Sequence, residues 1–190
     1  KNKTTAMSKI FIIAEAGVNH NGSVGIAKRM INAACKAGVD AIKFQTFSAE
    51  DLASKFALKA AYQKIATKCI GTQLGMLKNM ELSRGEHKEI INYCRSKHLQ
   101  FLSSPFDLDS IDMLNGLGMK TFKIPSGEIT NLPYLRKIGG LRKKIIISTG
   151  MAKQEEIAAA LGVLIKSGTK KDDITVMHCN SAYPTPIKDA

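Results

Sequence analysis

Two lysines stand inside short apolar runs, Lys43 in "AIKFQT" and Lys123 in "TFKIPS". Strand alternation puts Lys43 and Gln45 on one face. A lone lysine at a strand end usually snorkels its ammonium to water. Two at like places, each followed by polar groups, suggest more. Two ammonium groups in a water-poor cavity repel unless an anion lies between them. A phosphate or carboxylate is the natural partner, with serine hydroxyls and backbone N–H groups completing the cradle. Ser126 follows Lys123 directly, and "SSP" (Ser103–Pro105) and "STG" (Ser148–Gly150) bring further hydroxyls to strand ends. No GxSxG pattern marks a nucleophilic serine, so anion binding suits these hydroxyls better than attack. Glu15 and Glu128 end the first and fourth apolar runs. A carboxylate near cations stays ionised and can accept a proton or orient water. The plainer role for each is a helix cap or salt bridge.

The histidines carry weaker signals. His20 lies in "NHNG", which reads first as a turn because Asn and Gly tolerate positive φ; a ligand or acid role is the alternative. His178 falls near a strand end with its face undetermined. His87 and His98 read as solvated, on or just after a surface helix. No HxH or HExxH spacing occurs, so no complete metal site is expected within the chain. The four cysteines, Cys35, Cys69, Cys94 and Cys179, lack CxxC spacing and read as free thiols. "SAYPTP" (Ser181–Pro186) reads as a stiff loop with Tyr183 at its tip, able to touch a sugar or other substrate.

Positioning these groups requires many strand ends. Apolar runs alternate with helical periodicity throughout: strand Ile10–Gly17, helix Ser23–Gly38, strand Val39–Thr46, an irregular segment Phe47–Met80, helix Ser83–His98 and strand Leu99–Phe106. Helix Leu108–Gly118, strand Met119–Gly127, helix Asn131–Leu141, strand Lys143–Gly150, helix Lys153–Gly168 and strand Asp173–Ser181 follow. This alternation predicts an α/β fold with a parallel sheet. Continuous runs such as Ile145–Ile147 predict strands covered on both faces. An open doubly wound sheet and a (β/α)8 barrel compete. No GxGxxG or P-loop follows a strand. Every strand, moreover, ends in polar groups, as barrel sites demand. A barrel needs eight βα units and about 250 residues, so the chain is either an open sheet or part of a barrel.

Length and composition agree with one globular domain: 190 residues, 44% hydrophobic and 23% charged. No run of eighteen apolar residues predicts a membrane span. The polar start "KNKTTAMSK" (residues 1–9) reads as a flexible leader rather than a secretory signal, and a cytoplasmic location is expected. The net charge of +12 comes from 28 Lys and Arg against 16 Asp and Glu. Its densest clusters, "LRKK" (Leu141–Lys144) and "KSGTKKDD" (Lys166–Asp173), read as solvated loops, so neither nucleic acid nor membrane is an expected partner.

Taken together, "IIAEAGVNHNG", "AIKFQT", "FLSSPFD", "FKIPSGE", "ISTGM" and "HCNSAYPTP" resemble, in order and spacing, the sialic acid synthase family. The likeness runs from about Ile10 to the last residue. It implies a TIM (β/α)8 barrel, present here as about its first six βα units over residues 10–190, then an antifreeze-like C-terminal domain outside the chain. It implies condensation of phosphoenolpyruvate with an N-acetylmannosamine-type sugar to a nonulosonic acid and phosphate. A divalent cation, manganese or magnesium, is implied, with its ligands beyond residue 190, and so is a homodimer. By motif position Lys43, Lys123, Ser126, Ser148 and Ser181 resemble phosphoenolpyruvate ligands. Glu15 and Glu128 resemble the carboxylates that handle water and developing charge, and Gln45 and Tyr183 resemble sugar contacts. Asn180 stands where many members carry threonine, Ser181 where some carry asparagine. Another phosphoenolpyruvate–aldose condensing barrel, or a truncated anion-binding fragment without turnover, are the alternative readings.

Overall fold

A computed structural model of the chain describes residues 10–53, 72–182 and 185–189. Among the described residues six strands run in parallel: β1 (Ile13–Gly17), β2 (Ala41–Thr46), β3 (Gln100–Pro105), β4 (Thr121–Ile124), β5 (Lys144–Ser148) and β6 (Ile174–Met177). Hydrogen-bonded ladders join β1-β2-β3 and β4-β5-β6, and β3 lies beside β4. A doubly wound sheet starts in its middle and reverses order. Here strand order follows chain order without reversal, which is the order of a barrel wall.

The helices start where their caps predict. Ser23 caps α1 (Val24–Lys36) by accepting from Ile26 N–H, and α1 buries Ala27, Ile31 and Ala34 on one stripe. Ser83 and Glu86 form a capping box that opens α4 (Arg84–Ser96). Asp107 caps α5 (Leu108–Gly116), and Asn131 caps α6 (Leu132–Gly140), with Pro133 in its first turn. Helix α7 (Gln154–Lys166) follows β5. Among the described residues of the segment expected to be irregular lie two short helices, α2 (Ala49–Leu52) and α3 (Gln73–Lys78).

The outward residues of β1 and β2, among them Phe44, pack with α1 and α4 around Ile31 and Ile90. Those of β4 and β5, Phe122, Ile124, Ile145 and Ile147, pack with α6 and α7 around Leu135, Ile138 and Leu164. Phe101 of β3 touches both clusters. The seam between the ladders is also tied by Tyr134 of α6, whose buried hydroxyl donates to the Pro105 carbonyl at 2.8 Å.

Several strands are shorter than expected. β1 begins at Ile13, leaving Ile10, Phe11 and Ile12 exposed, and β6 ends at Met177, so His178 to Ser181 lie beyond it. β4 ends at Ile124, and Ser126–Glu128 form a 3-10 turn. Among the described residues no helix is long and apolar enough to cross a membrane.

Candidate functional site

Alternation along the strands separates two chemistries. Phe44, Phe122, Ile124 and Ile147 face the helices. Lys43, Gln45, Ser104, Lys123 and Ser148 face the other way and, with Glu15, Asn19 and Ser126, line a cavity of about 370 Å³ at the C-terminal strand ends. β1 brings Glu15 opposite Lys43 in the ladder, and their side chains pair at 2.6 Å. The register slips between Glu15 and Gly17, and Gly17 has φ +54°. A bulge with a left-handed glycine re-aims the strand end. A Cβ on Gly17 would also lie 3.3 Å from the Glu15 carboxylate.

Lys123 is in a different position. It is 5% exposed, and its ammonium donates to the Ile124 carbonyl at 3.0 Å and to the Ser148 hydroxyl. Both acceptors are neutral. Burial, first, and the Lys43 ammonium, second, push its pKa down to about 8, against the weaker pull of Cys179 and Glu15. Lys43 therefore has a carboxylate partner and Lys123 has none in direct contact, so one cation of the pair is neutralised. The Lys123 ammonium is thus left as positive charge without a direct counter-ion among the described residues of the cavity.

Three loops meet beside Ser126, which lines the cavity. Ser126 follows β4, Gly150 follows β5 and Ser181 follows β6. Gly150 N–H donates to Ser126 Oγ at 2.9 Å. Thr149 Oγ1 donates to the Met177 carbonyl at 2.7 Å, tying the β5 loop to β6.

Of the residues expected at the site, Glu15, Lys43, Gln45, Lys123, Ser126 and Ser148 line the cavity together. Ser181 is exposed and does not line the cavity; its hydroxyl lies beside Gly150, 2.9 Å from where a Cβ would stand. Glu128 is elsewhere: its carboxylate accepts from Asn131 Nδ2 at 2.7 Å, in the cap of α6, and does not line the cavity. Tyr183 and Cys69 lie outside the described residues, while Cys35, Cys94 and Cys179 are free thiols. His178 is exposed beyond β6. Asn19 was read only as part of a turn; its amide donates to the Ala16 carbonyl at 3.0 Å, and the bulge carries it to the cavity wall.

His87 corrects the sequence reading, whereas His20 lies in the expected turn. His87, expected to be solvated, is buried under α4. Its Nδ1 faces the Ser83 carbonyl at 3.0 Å and must carry the proton, so Nε2 accepts from the Thr46 hydroxyl at 2.8 Å. Thr46 Oγ1 then accepts from Ser103 at 2.7 Å. The odd-numbered serine of "SSP" thus serves the helix layer while Ser104 serves the cavity. His20 is also fully buried, against the Phe44 ring, with Nδ1 accepting from Gly22 N–H at 3.1 Å. Burial pushes both imidazoles below their ordinary pKa, and for His20 the neighbouring His87 adds to it. Neither lines the cavity. Among the described residues no group of three His, Cys, Asp or Glu side chains could hold a metal ion.

Residues 30–190 match the NeuB family. The chain belongs to that family. It is 52% identical over 183 residues to N,N'-diacetyllegionaminic acid synthase from Campylobacter jejuni, covering 96% of this chain and 55% of that protein. It is 44% identical to the synthase of the same name from Legionella pneumophila, over 94% of this chain and 51% of that one. The chain thus spans about half the length of these relatives. The fold resembles the crystal structure of N-acetylneuraminic acid synthetase from Leptospira borgpetersenii, with a TM-score of 0.79 and 30% identity, covering 95% of this chain and 57% of that one. This family member therefore has an α/β fold whose solved neighbours include sialic acid synthases.

Proposed function

We propose that this chain carries the phosphoenolpyruvate-binding part of a nonulosonic acid synthase. The carrying observation is the pair of inward lysines, of which Lys43 is neutralised by Glu15 while Lys123 meets only neutral acceptors. Phosphoenolpyruvate supplies the missing negative charge through its phosphate and carboxylate. Ser126, Ser148 and Ser181 add hydroxyl donors around it. The names of the two relatives favour a diacetamido hexose as the sugar over plain N-acetylmannosamine or its 6-phosphate. Gln45 contacts that sugar.

In this reading C3 of phosphoenolpyruvate attacks the aldehyde carbon of the open-chain sugar, forming the new C–C bond. The electron pair comes from the enol double bond, so C2 becomes an oxocarbenium centre, while the carbonyl π pair moves onto the aldehyde oxygen, which takes up a proton from solvent and becomes a hydroxyl. Water adds at C2, loses its proton, and the tetrahedral intermediate expels phosphate by C–O cleavage. Glu15, paired with Lys43 at 2.6 Å, stabilises the developing cation and accepts the proton from water. Lys123 holds the departing phosphate. Glu128 takes no part from its present position in the α6 cap. The divalent cation that the family resemblance implies finds no ligand cluster among the described residues, so no step is assigned to it. We further propose that two more βα units close the barrel in a polypeptide of the relatives' length, which acts as a homodimer.

The test uses that longer polypeptide with phosphoenolpyruvate, manganese or magnesium, and each candidate sugar. Phosphate release coupled to formation of a nine-carbon keto acid, seen by mass spectrometry, is the expected result. Lys123→Ala abolishes turnover and weakens phosphoenolpyruvate binding at least about tenfold, the worth of one charge-assisted contact. Wild-type kinetics in that variant would sink the assignment.

A further inference from the structure

Gly150 raises a question that backbone geometry does not answer. The described glycines with positive φ are Gly17, Gly22, Gly38, Gly118 and Gly168; Gly150 is not among them. Its conformation is open to any residue, so the absence of a side chain must serve something other than the turn. What a side chain would meet is specific. A Cβ at this position would lie 2.9 Å from Ser181 Oγ and 3.1 Å from Ser126 Oγ. Both neighbours are hydroxyls that can rotate about χ1, so an added methyl would turn the serines away rather than push backbone apart. The cost would fall on where the hydroxyls point, not on the fold.

The backbone of Gly150 acts in the same direction. Its N–H donates to Ser126 Oγ at 2.9 Å. That bond occupies a lone pair of the hydroxyl oxygen and leaves the Ser126 proton free to donate. Ser126 lines the cavity beside Lys123, so the free proton belongs to the anion site.

We infer that Gly150 is a positioning residue for the anion: its missing side chain lets the Ser126 and Ser181 hydroxyls flank one methyl-sized space, and its N–H aims the Ser126 proton at the ligand. Three consecutive strand ends thereby act as one donor cluster. The inference rests on the reading of this cavity as a phosphoenolpyruvate site.

The experiment is a mutant cycle in the longer polypeptide, read by calorimetric titration of phosphoenolpyruvate and by kinetics. Gly150→Ala raises the Kd and KM for phosphoenolpyruvate by about tenfold or more, the worth of one or two hydroxyl contacts to an anion. The sugar KM and the melting temperature stay at wild-type values. In a Ser126→Ala, Ser181→Ala background the same substitution changes binding less than about twofold, because no hydroxyl remains to be displaced. That background also removes the atoms a methyl would strike, so it reports even if Gly150→Ala alone folds poorly. An unchanged Kd in Gly150→Ala overturns the inference. So does an equal loss in both backgrounds, which would mark Gly150 as structural. A wild-type protein that does not bind phosphoenolpyruvate would instead remove the proposed function itself.

Discussion

At the residue scale the decisive contrast is between two lysines of the same face. Lys43 sits 2.6 Å from a carboxylate; Lys123 donates only to a hydroxyl and a carbonyl. The consequence is a pH dependence with a defined sign. Anion binding uses the charged form of Lys123, whose pKa is pushed down to about 8. Affinity for phosphoenolpyruvate should therefore be flat below that pH. Above it, affinity should fall about tenfold per pH unit, one proton being taken up on binding. Titrations at pH 7, 8, 9 and 10 check this, and Lys123→Arg should remove the break. A wild-type affinity constant to pH 10 would contradict it. For folding the same shift acts oppositely: the cost of burying the charged lysine is full below about 8 and disappears as pH rises toward the ordinary 10.5. A site that holds its cation ready for a ligand is less stable without one.

At the element scale, what matters is how closely the helices approach the strands and each other. Gly139 of α6 is buried, and its φ is not in the left-handed region. A Cβ there would lie 2.7 Å from Ser167 Cβ and 3.0 Å from the Leu164 carbonyl, at the end of α7. Unlike the hydroxyls at Gly150, these atoms cannot rotate aside. Gly139→Ala should therefore destabilise the domain by about 1–3 kcal/mol through overpacking. A urea unfolding curve measures it; a midpoint at the wild-type value would show that α6 and α7 separate freely. The two glycines thus predict opposite phenotypes, lost binding without lost stability and lost stability through packing. Helix positions themselves were readable, since Ser23, Ser83, Asp107 and Asn131 are caps and the apolar stripes follow them. His87 was misread because it sits on the polar-looking half of "RGEHKEII". His87 alone of that half is buried: it lies three and four positions before Ile90 and Ile91 on the inward stripe, and Thr46, 41 positions away in sequence, is its partner there.

At the scale of the whole molecule, cover is uneven. In β5 only Lys144 is exposed, whereas in β6 Thr175, Val176 and Met177 all are. Ile10, Phe11 and Ile12, leading into β1, are also exposed. Apolar strand edges of this kind pair with other chains unless covered. The 190-residue chain alone should thus self-associate in light scattering and show no turnover with phosphoenolpyruvate, sugar and divalent cation. The polypeptide of the relatives' length should instead form a discrete homodimer and turn over. A monodisperse, active 190-residue chain would refute both the closed-barrel proposal and the need for residues outside it.

The sequence by itself determined the alternation of strands and helices, the helix starts, and the identity of six polar residues that share the cavity. These are local properties: a period of two or 3.6 residues and a cap are written in adjacent positions. Only the tertiary structure decided that Glu15 neutralises Lys43 and not Lys123, that Glu128 belongs to a helix cap, and that Gly150 lies between two serines. Those facts depend on register, on a bulge at Glu15 and on burial. They depend, that is, on distances between residues that the chain places far apart and only the folded sheet brings together.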